Sequence, residues 1–323
     1  MIPDPLTQSG VRVRAIDGLL MLMVAIWATN YSVIKRAFEE IPPQPFNAVR
    51  LAFAAGLYLV AIEIARRRAR RRPGRVSSVF YTPHALTRAD RWTLLWVGLV
   101  GHLCYQSAFV EGVNGTSVSN AALIIGATPA VVAVASALLG RDSITRLHWI
   151  GAGVSAMGLY IVVGHGASFG GQTWHGDALV LVSVCCWAAY TLGAAGLMAR
   201  HSPLYVTGVT MAIGAVPYAV LTLPQVLRVD WLHLSAYAMF ALPLSGVFAL
   251  CVGYLIWYAG VQRLGPARTS IYSNVVPIAG MLVARVWLGE PLTPAKVAGA
   301  AAIVSGVLLT RLGRRTMAVP AEE

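Results

Sequence analysis

Apolar residues along this chain come neither in strict alternation nor in the one-sided period of a surface helix, but in solid blocks separated by short polar stretches. Each block has about the 20 residues that a helix needs to cross some 30 Å of hydrocarbon. The pattern predicts ten spans, at 18–37, 44–65, 91–112, 117–138 and 147–163 in the first half and at 177–199, 205–223, 236–261, 267–288 and 295–312 in the second. Helices are the form that lets such segments satisfy every backbone donor and acceptor within lipid. The expected fold is therefore an all-α membrane protein of about ten transmembrane helices. Composition agrees: of 323 residues, 57% are hydrophobic and 12% charged, and the mean hydropathy is +0.66.

The net charge of +12 would suit a nucleic-acid partner if it lay on one soluble face, yet the basic residues sit between and beside the spans. No nucleic-acid partner is expected. The densest run, Arg66, Arg67, Arg68, Arg70, Arg71, Arg72 and Arg75, reads as a loop held in the cytoplasm by the positive-inside rule, with contact to anionic lipid as a second use. Cys104, Cys185, Cys186 and Cys251 all fall within spans, where cysteine acts as a small packing residue. Arg12 and Arg14 precede the first span without a small-residue cleavage site, so that span is expected to be retained.

The chain matches itself. One offset of 148 positions pairs Gly98 with Gly246, Gly112 with Gly260, Pro129 with Pro277, Asp142 with Glu290, Gly151 with Gly299 and Gly158 with Gly306. An offset of 160 pairs Trp27 with Trp187 and Ala28 with Ala188, the Arg-rich loop absorbing the difference. Each copy then holds five spans, and five is odd, so the second copy enters the membrane from the opposite side. Loop charge agrees: 111–120 has no basic residue, whereas its equivalent carries Arg263 and Arg268. Both termini are expected in the cytoplasm, with Arg311, Arg314 and Arg315 as the last anchor; Lys35 and Arg36, at the outer end of the first span, run against the rule.

The stretch Trp27-Ala28-Thr29-Asn30-Tyr31-Ser32-Val33-Ile34-Lys35, followed by Ile41-Pro42-Pro43 and by Arg50, resembles the opening of the EamA type of the drug/metabolite transporter superfamily. Pro277 followed by Leu288-Gly289-Glu290-Pro291-Leu292-Thr293 resembles the same type in the second half. The resemblance implies two inverted five-helix EamA-like repeats, at 18–163 and 177–312. They would be flanked by a cytoplasmic segment 1–17 and tail 313–323, and joined by an outer linker 164–176. It also implies a secondary active transporter of the bacterial-type inner (plasma) membrane that works by alternating access, with relatives that export amino acids and other small metabolites. The halves differ: Gly140-Arg141-Asp142 stands against Gly289-Glu290, and Tyr190 and Thr191 against Asn30 and Tyr31.

Inverted repeats place substrate near the midplane between the halves, so polar and aromatic residues at mid-span are the candidates. These are Trp27, Asn30, Tyr31, His102, Gln106, Trp187, Tyr190, Tyr254, Trp257 and Asn274. Each has a plain alternative: Asn and Gln join helices by hydrogen bonds, a buried neutral histidine is a core residue, and aromatic rings pack or anchor at the interface. Lys35 and Arg50 fit the family pattern as gate charges or as holders of an acidic substrate group, against a default of snorkelling or ion pairing. Pro129 and Pro277 each remove a backbone donor mid-span, which predicts a kink and a place to bend. Asp142 and Glu290 read as caps of the helices that follow them.

Function narrows accordingly to an exporter of small metabolites such as amino acids, acting as a monomer among membrane lipids, with no metal and no cofactor. An organic-cation exporter is the competing reading, though it would want a carboxylate in mid-span. An intramembrane enzyme acting on lipid-linked substrates would need a catalytic constellation, and no His-Glu-x-x-His or in-span acidic pair occurs.

Overall fold

The computed structural model describes residues 5–72, 75–138, 146–164, 172–273 and 275–312. All the elements are helical: α1 Pro5–Ala37, α2 Pro43–Arg71, α3 Arg88–Gly98, α4 Tyr105–Gly115, α5 Val118–Gly126, α6 Thr128–Leu138, α7 Arg146–Gly164, α8 Gln172–Met198, α9 Pro203–Val226, α10 Ala236–Ser245, α11 Tyr254–Ser273, α12 Val275–Trp287 and α13 Pro294–Leu312. Six stretches are long and apolar enough to span a bilayer unbroken, and four shorter apolar helices fall in expected spans four, five, nine and ten. The flanks exposed on the outside are themselves apolar, with Leu59, Val216, Phe240 and Val286 turned outward as lipid contact requires.

Three features depart from straight spans. The chain passes from α3 to α4 through a π-helical segment, Leu99–Cys104, and from α10 to α11 through another, Gly246–Gly253. These segments are equivalent under the 148-residue offset, which sets Gly98 on Gly246. Span four is broken at Ala127. Pro129 is thus the second residue of α6, in a first turn where a missing N–H costs little. The expected kink inside a continuous helix is instead a break just ahead of Pro129, while at Pro277 the preceding turn includes Asn274, outside the described residues. Finally, α11 folds back on itself: a methyl group on Gly260 would lie 3.0 Å from Thr269 Cγ2, whereas nine residues of straight helix are about 13 Å long. The turn between expected spans eight and nine therefore lies inside α11.

Helix pairing crosses between the halves. α1 packs on α12 and on α10, the second π segment and α11; in the same way α8 packs on α5, α6, the first π segment and α4; α2 pairs with α9 and α7 with α13. The α7–α13 crossing is built on glycine. A methyl on Gly158 would meet Gly299 O at 2.8 Å and one on Gly306 would meet Gly151 O at 2.5 Å, so the two backbones touch, as small residues permit in membrane interfaces.

Polar ties join the halves at both ends of the bundle. Where α1 ends, Glu40 accepts hydrogen bonds from Ser235 N (2.8 Å) and Oγ (2.5 Å) at the N-cap of α10. These bonds hold its carboxyl below the usual range, so the tie persists at neutral pH and weakens only as the pH falls through that lowered value. At the opposite end, Asp90 forms a capping box with Thr87 and is bonded by Arg200 and, at 3.3 Å, by His201. The two joints are repeat equivalents, because Thr87 pairs with Ser235 at offset 148 and Glu40 with Arg200 at offset 160. Their chemistry differs, so the two ends are held differently.

Candidate substrate-binding site

Midway between these ties, the halves meet in a cluster of rings. Trp27 of α1 lies 6.4 Å from Trp187 of α8, edge to face, 6.0 Å from Tyr254 and 5.8 Å from Trp257. Trp187 in turn lies 5.3 Å from Tyr254, 5.3 Å from Tyr105 and 5.5 Å from Tyr190. These separations and tilts are those at which ring quadrupoles attract. The two π segments place the rings, because each exposes a glycine to a tryptophan or tyrosine from the other half. A methyl on Gly253 would lie 2.4 Å from Trp27 Nε1, and one on Gly101 would lie 2.2 Å from the Tyr190 ring. Trp27 Nε1 also donates to Ala249 O at 3.1 Å, a carbonyl of the second π segment. Gly253→Ala is accordingly expected to push the Trp27 indole off that carbonyl and to cost about 1–3 kcal/mol, measurable as a lower thermal midpoint and an altered tryptophan emission.

Beside the rings lies Arg50 of α2, 1% exposed. Its Nε and Nη2 donate to Asn47 Oδ1 (3.1 and 2.5 Å), Nη1 to Ser245 Oγ (2.9 Å) and Nη2 also to Gln106 Oε1 (3.0 Å). Ser245 passes the network on by donating to Asn30 Oδ1 at 2.6 Å. The Phe46 ring covers the guanidinium at 5.8 Å. Every one of these partners is neutral, and among the described residues no carboxylate lies within 4 Å of Arg50. The side chain neither snorkels nor forms an ion pair, contrary to its default expectation.

Lys35 is held apart from this network. Its Nζ donates to Val113 O (2.9 Å), Asn114 O (2.5 Å) and Thr116 O (2.9 Å), carbonyls at the C-terminal end of α4 that have no helical partner. Nearby, Glu290 accepts from Val118 N (2.7 Å), Ser119 N (3.0 Å) and Ser119 Oγ (2.5 Å), with Lys296 Nζ at 3.7 Å. Glu290 therefore caps α5 in the other half rather than the helix that follows it; Thr293 serves α13 by accepting from Lys296 N. Asp142 lies outside the described residues.

Of the residues that the sequence singles out, Trp27, Trp187, Tyr190, Tyr254 and Trp257 are brought together, and Asn30 and Gln106 join Arg50. His102 is fully buried, 5.2 Å from Tyr190 and 6.1 Å from Tyr254, with Nε2 3.3 Å from Thr210 Oγ1. Tyr31 packs at 5.9 Å on Phe109 at the edge of the cluster. Asn274 lies outside the described residues, and of Pro129 only the backbone is described. The sequence pattern did not single out Asn47 or Ser245, whose weight comes from facing Arg50. Gly101 and Gly253 carry a legible signal in hindsight: glycines in mid-span mark close approach.

Comparison with known proteins settles the family. The model described as "EamA-like transporter family" matches residues 15–164 and again residues 174–312. The chain belongs to the EamA-like transporter family. The match falls on each half of the chain separately. Similar proteins include the inner membrane transporter YedA of Escherichia coli (strain K12), 25% identical over 314 residues covering 92% of this chain and 90% of the relative. Another is described as a probable terminal-alkyne amino-acid exporter of Streptantibioticus cattleyicolor, 25% identical over 305 residues covering 92% of this chain and 93% of the relative. A crystal structure at 16% identity covers 94% of this chain and 99% of its own, with a TM-score of 0.63, which indicates the same fold. This EamA-family chain is thus a multi-pass inner-membrane secondary transporter of small molecules and not an enzyme.

Proposed function

We propose that this EamA-family chain exports small metabolites such as amino acids by alternating access between two inverted halves, with both termini cytoplasmic and one chain as the working unit. The observation that carries the reading is the meeting of the repeat-equivalent Trp27 and Trp187 between two repeat-equivalent π segments. A site built from matching parts of both halves is remade when the halves rock, and the glycine crossing of α7 on α13 supplies a contact about which they can move. Opening at one end requires parting Glu40 from Ser235 and Glu290 from Val118 and Ser119; opening at the other requires parting Asp90 from Arg200 and His201. Neighbouring π segments fit such a role, since single-turn π stretches occur frequently at functional sites. The break ahead of Pro129 gives span four a place to bend. The likeness to a terminal-alkyne amino-acid exporter favours an amino-acid-sized cargo. An organic-cation cargo would want a carboxylate at the rings, whereas the charge beside them is Arg50.

Purified protein in liposomes, given a panel of labelled amino acids, organic acids and cationic dyes with and without a pH gradient, tests the reading. Saturable flux of one class, lost in Trp27→Ala together with Trp187→Ala, is the expected result. Folded protein that moves none of the panel would sink it.

A further inference from the structure

We infer that Arg50 is the recognition group for a carboxylate on the cargo, and that the site selects for this carboxylate beside an apolar or aromatic body while making no demand for an amine. The inference rests on the transport reading above and specifies the chemistry of that same site.

A guanidinium has five N–H donors in a rigid fork, and in Arg50 one Nη1–H is unused, so a cargo carboxylate would take that donor and gain a second by displacing a neutral oxygen such as Ser245 Oγ from the fork. Four hydrogen bonds of Arg50 go to neutral oxygens, those of Asn47, Gln106 and Ser245. They orient the fork but leave its charge uncompensated, and burying a charge without a counterion is costly. A residue needed only to hold helices together would do so more cheaply as a neutral amide. A group whose counterion arrives with the cargo explains both the burial and the neutral partners.

Position supplies the rest. Gln106 follows Tyr105 in the chain, and Asn30 stands three residues after Trp27, on the same face of α1. The guanidinium network and the ring cluster therefore share two helices. A carboxylate on Arg50 would leave the attached apolar body against Trp27, Trp187 and Tyr254. The nearest acidic position along α4 from Gln106 is Glu111, beyond one further turn, and among the described residues it forms no ion pair with Arg50. Among the described residues, no carboxylate forms an ion pair or hydrogen bond at the rings that would receive an ammonium group.

Three compounds with one aromatic body separate the charges: 3-phenylpropanoate (anion), phenylalanine (zwitterion) and phenylalaninamide (cation). The experiment is equilibrium binding of each of the three compounds, labelled in turn, to the purified full chain, with the other two as competitors. Saturable binding, competition by phenylalanine at similar concentrations, and competition by phenylalaninamide only at about tenfold or more higher concentrations are expected. Arg50→Gln is expected to abolish binding without lowering the thermal midpoint, because it removes an uncompensated buried charge. Arg50→Lys keeps the charge but loses the fork and is expected to bind about 10- to 100-fold more weakly; it carries the test if the glutamine variant does not fold. Equal competition by the amide, or binding unchanged in Arg50→Lys, overturns the inference. So does binding of phenylalanine without 3-phenylpropanoate, an outcome that would assign the amine to Glu111, or failure of all three to bind folded protein. In each of those cases, flux of another class in the liposome panel would leave the transport reading standing.

Discussion

Trp27→Ala is expected to abolish saturable flux and to lower stability more than Trp187→Ala does, although the two residues are repeat equivalents. Both substitutions remove half-buried rings from the same cluster, and since truncating a fully buried tryptophan costs about 3–5 kcal/mol in soluble cores, that figure is an upper bound here. In a bilayer the transfer part of that cost shrinks, because lipid is as apolar as the protein interior, and what remains is lost packing. Trp27 has two further attachments. Its Nε1 bond to Ala249 O is worth about 1 kcal/mol, and its indole fills the space left by the missing side chain of Gly253. Thermal unfolding of the two variants, read beside flux, checks the order. Trp27→Phe keeps a ring while losing the hydrogen bond and should fall between parent and alanine. Equal loss of stability in the two alanine variants would mean that the attachment to the second π segment contributes nothing.

The second large effect is expected at Glu290, on a loop that a sequence pattern assigns to α13. Its carboxylate satisfies two backbone donors and a hydroxyl at the start of α5 and lies beside Lys296. Glu290→Ala strands all of these in a partly buried position, at an expected cost of about 2–4 kcal/mol. Hydrogen exchange should localise the loss to the first turn of α5 rather than to α13. Glu290→Gln, which keeps one acceptor, should recover part of the stability. Protection lost at α13 instead would place the cap where the chain order suggests.

Much of the architecture is legible in sequence because it depends on local properties. A run of about 20 apolar residues demands a helix whatever its neighbours. The repeat is likewise visible in residue spacing, and it led directly to Trp27 and Trp187. The departures occur where local signals are silent. The π segments contain ordinary helix-forming residues, and only the opposing rings at Gly101 and Gly253 explain why the backbone widens there. Pro129 lies just after the interruption at Ala127, yet whether a helix bends or breaks ahead of a proline depends on what satisfies the freed backbone groups.

By itself, then, the sequence determined that this chain lies in a membrane as an all-α bundle, and it singled out Trp27 and Trp187, which meet in the ring cluster. Tertiary structure alone decided what each charge does. Lys35 caps α4, Glu290 caps a helix of the other half, and Arg50 faces Asn47, Gln106 and Ser245 instead of lipid headgroups or a carboxylate. The physical reason is range. Hydropathy and periodicity act over one or two helical turns, whereas the partner of a buried charge is set by which helices cross beside it, here from elements up to 195 positions apart.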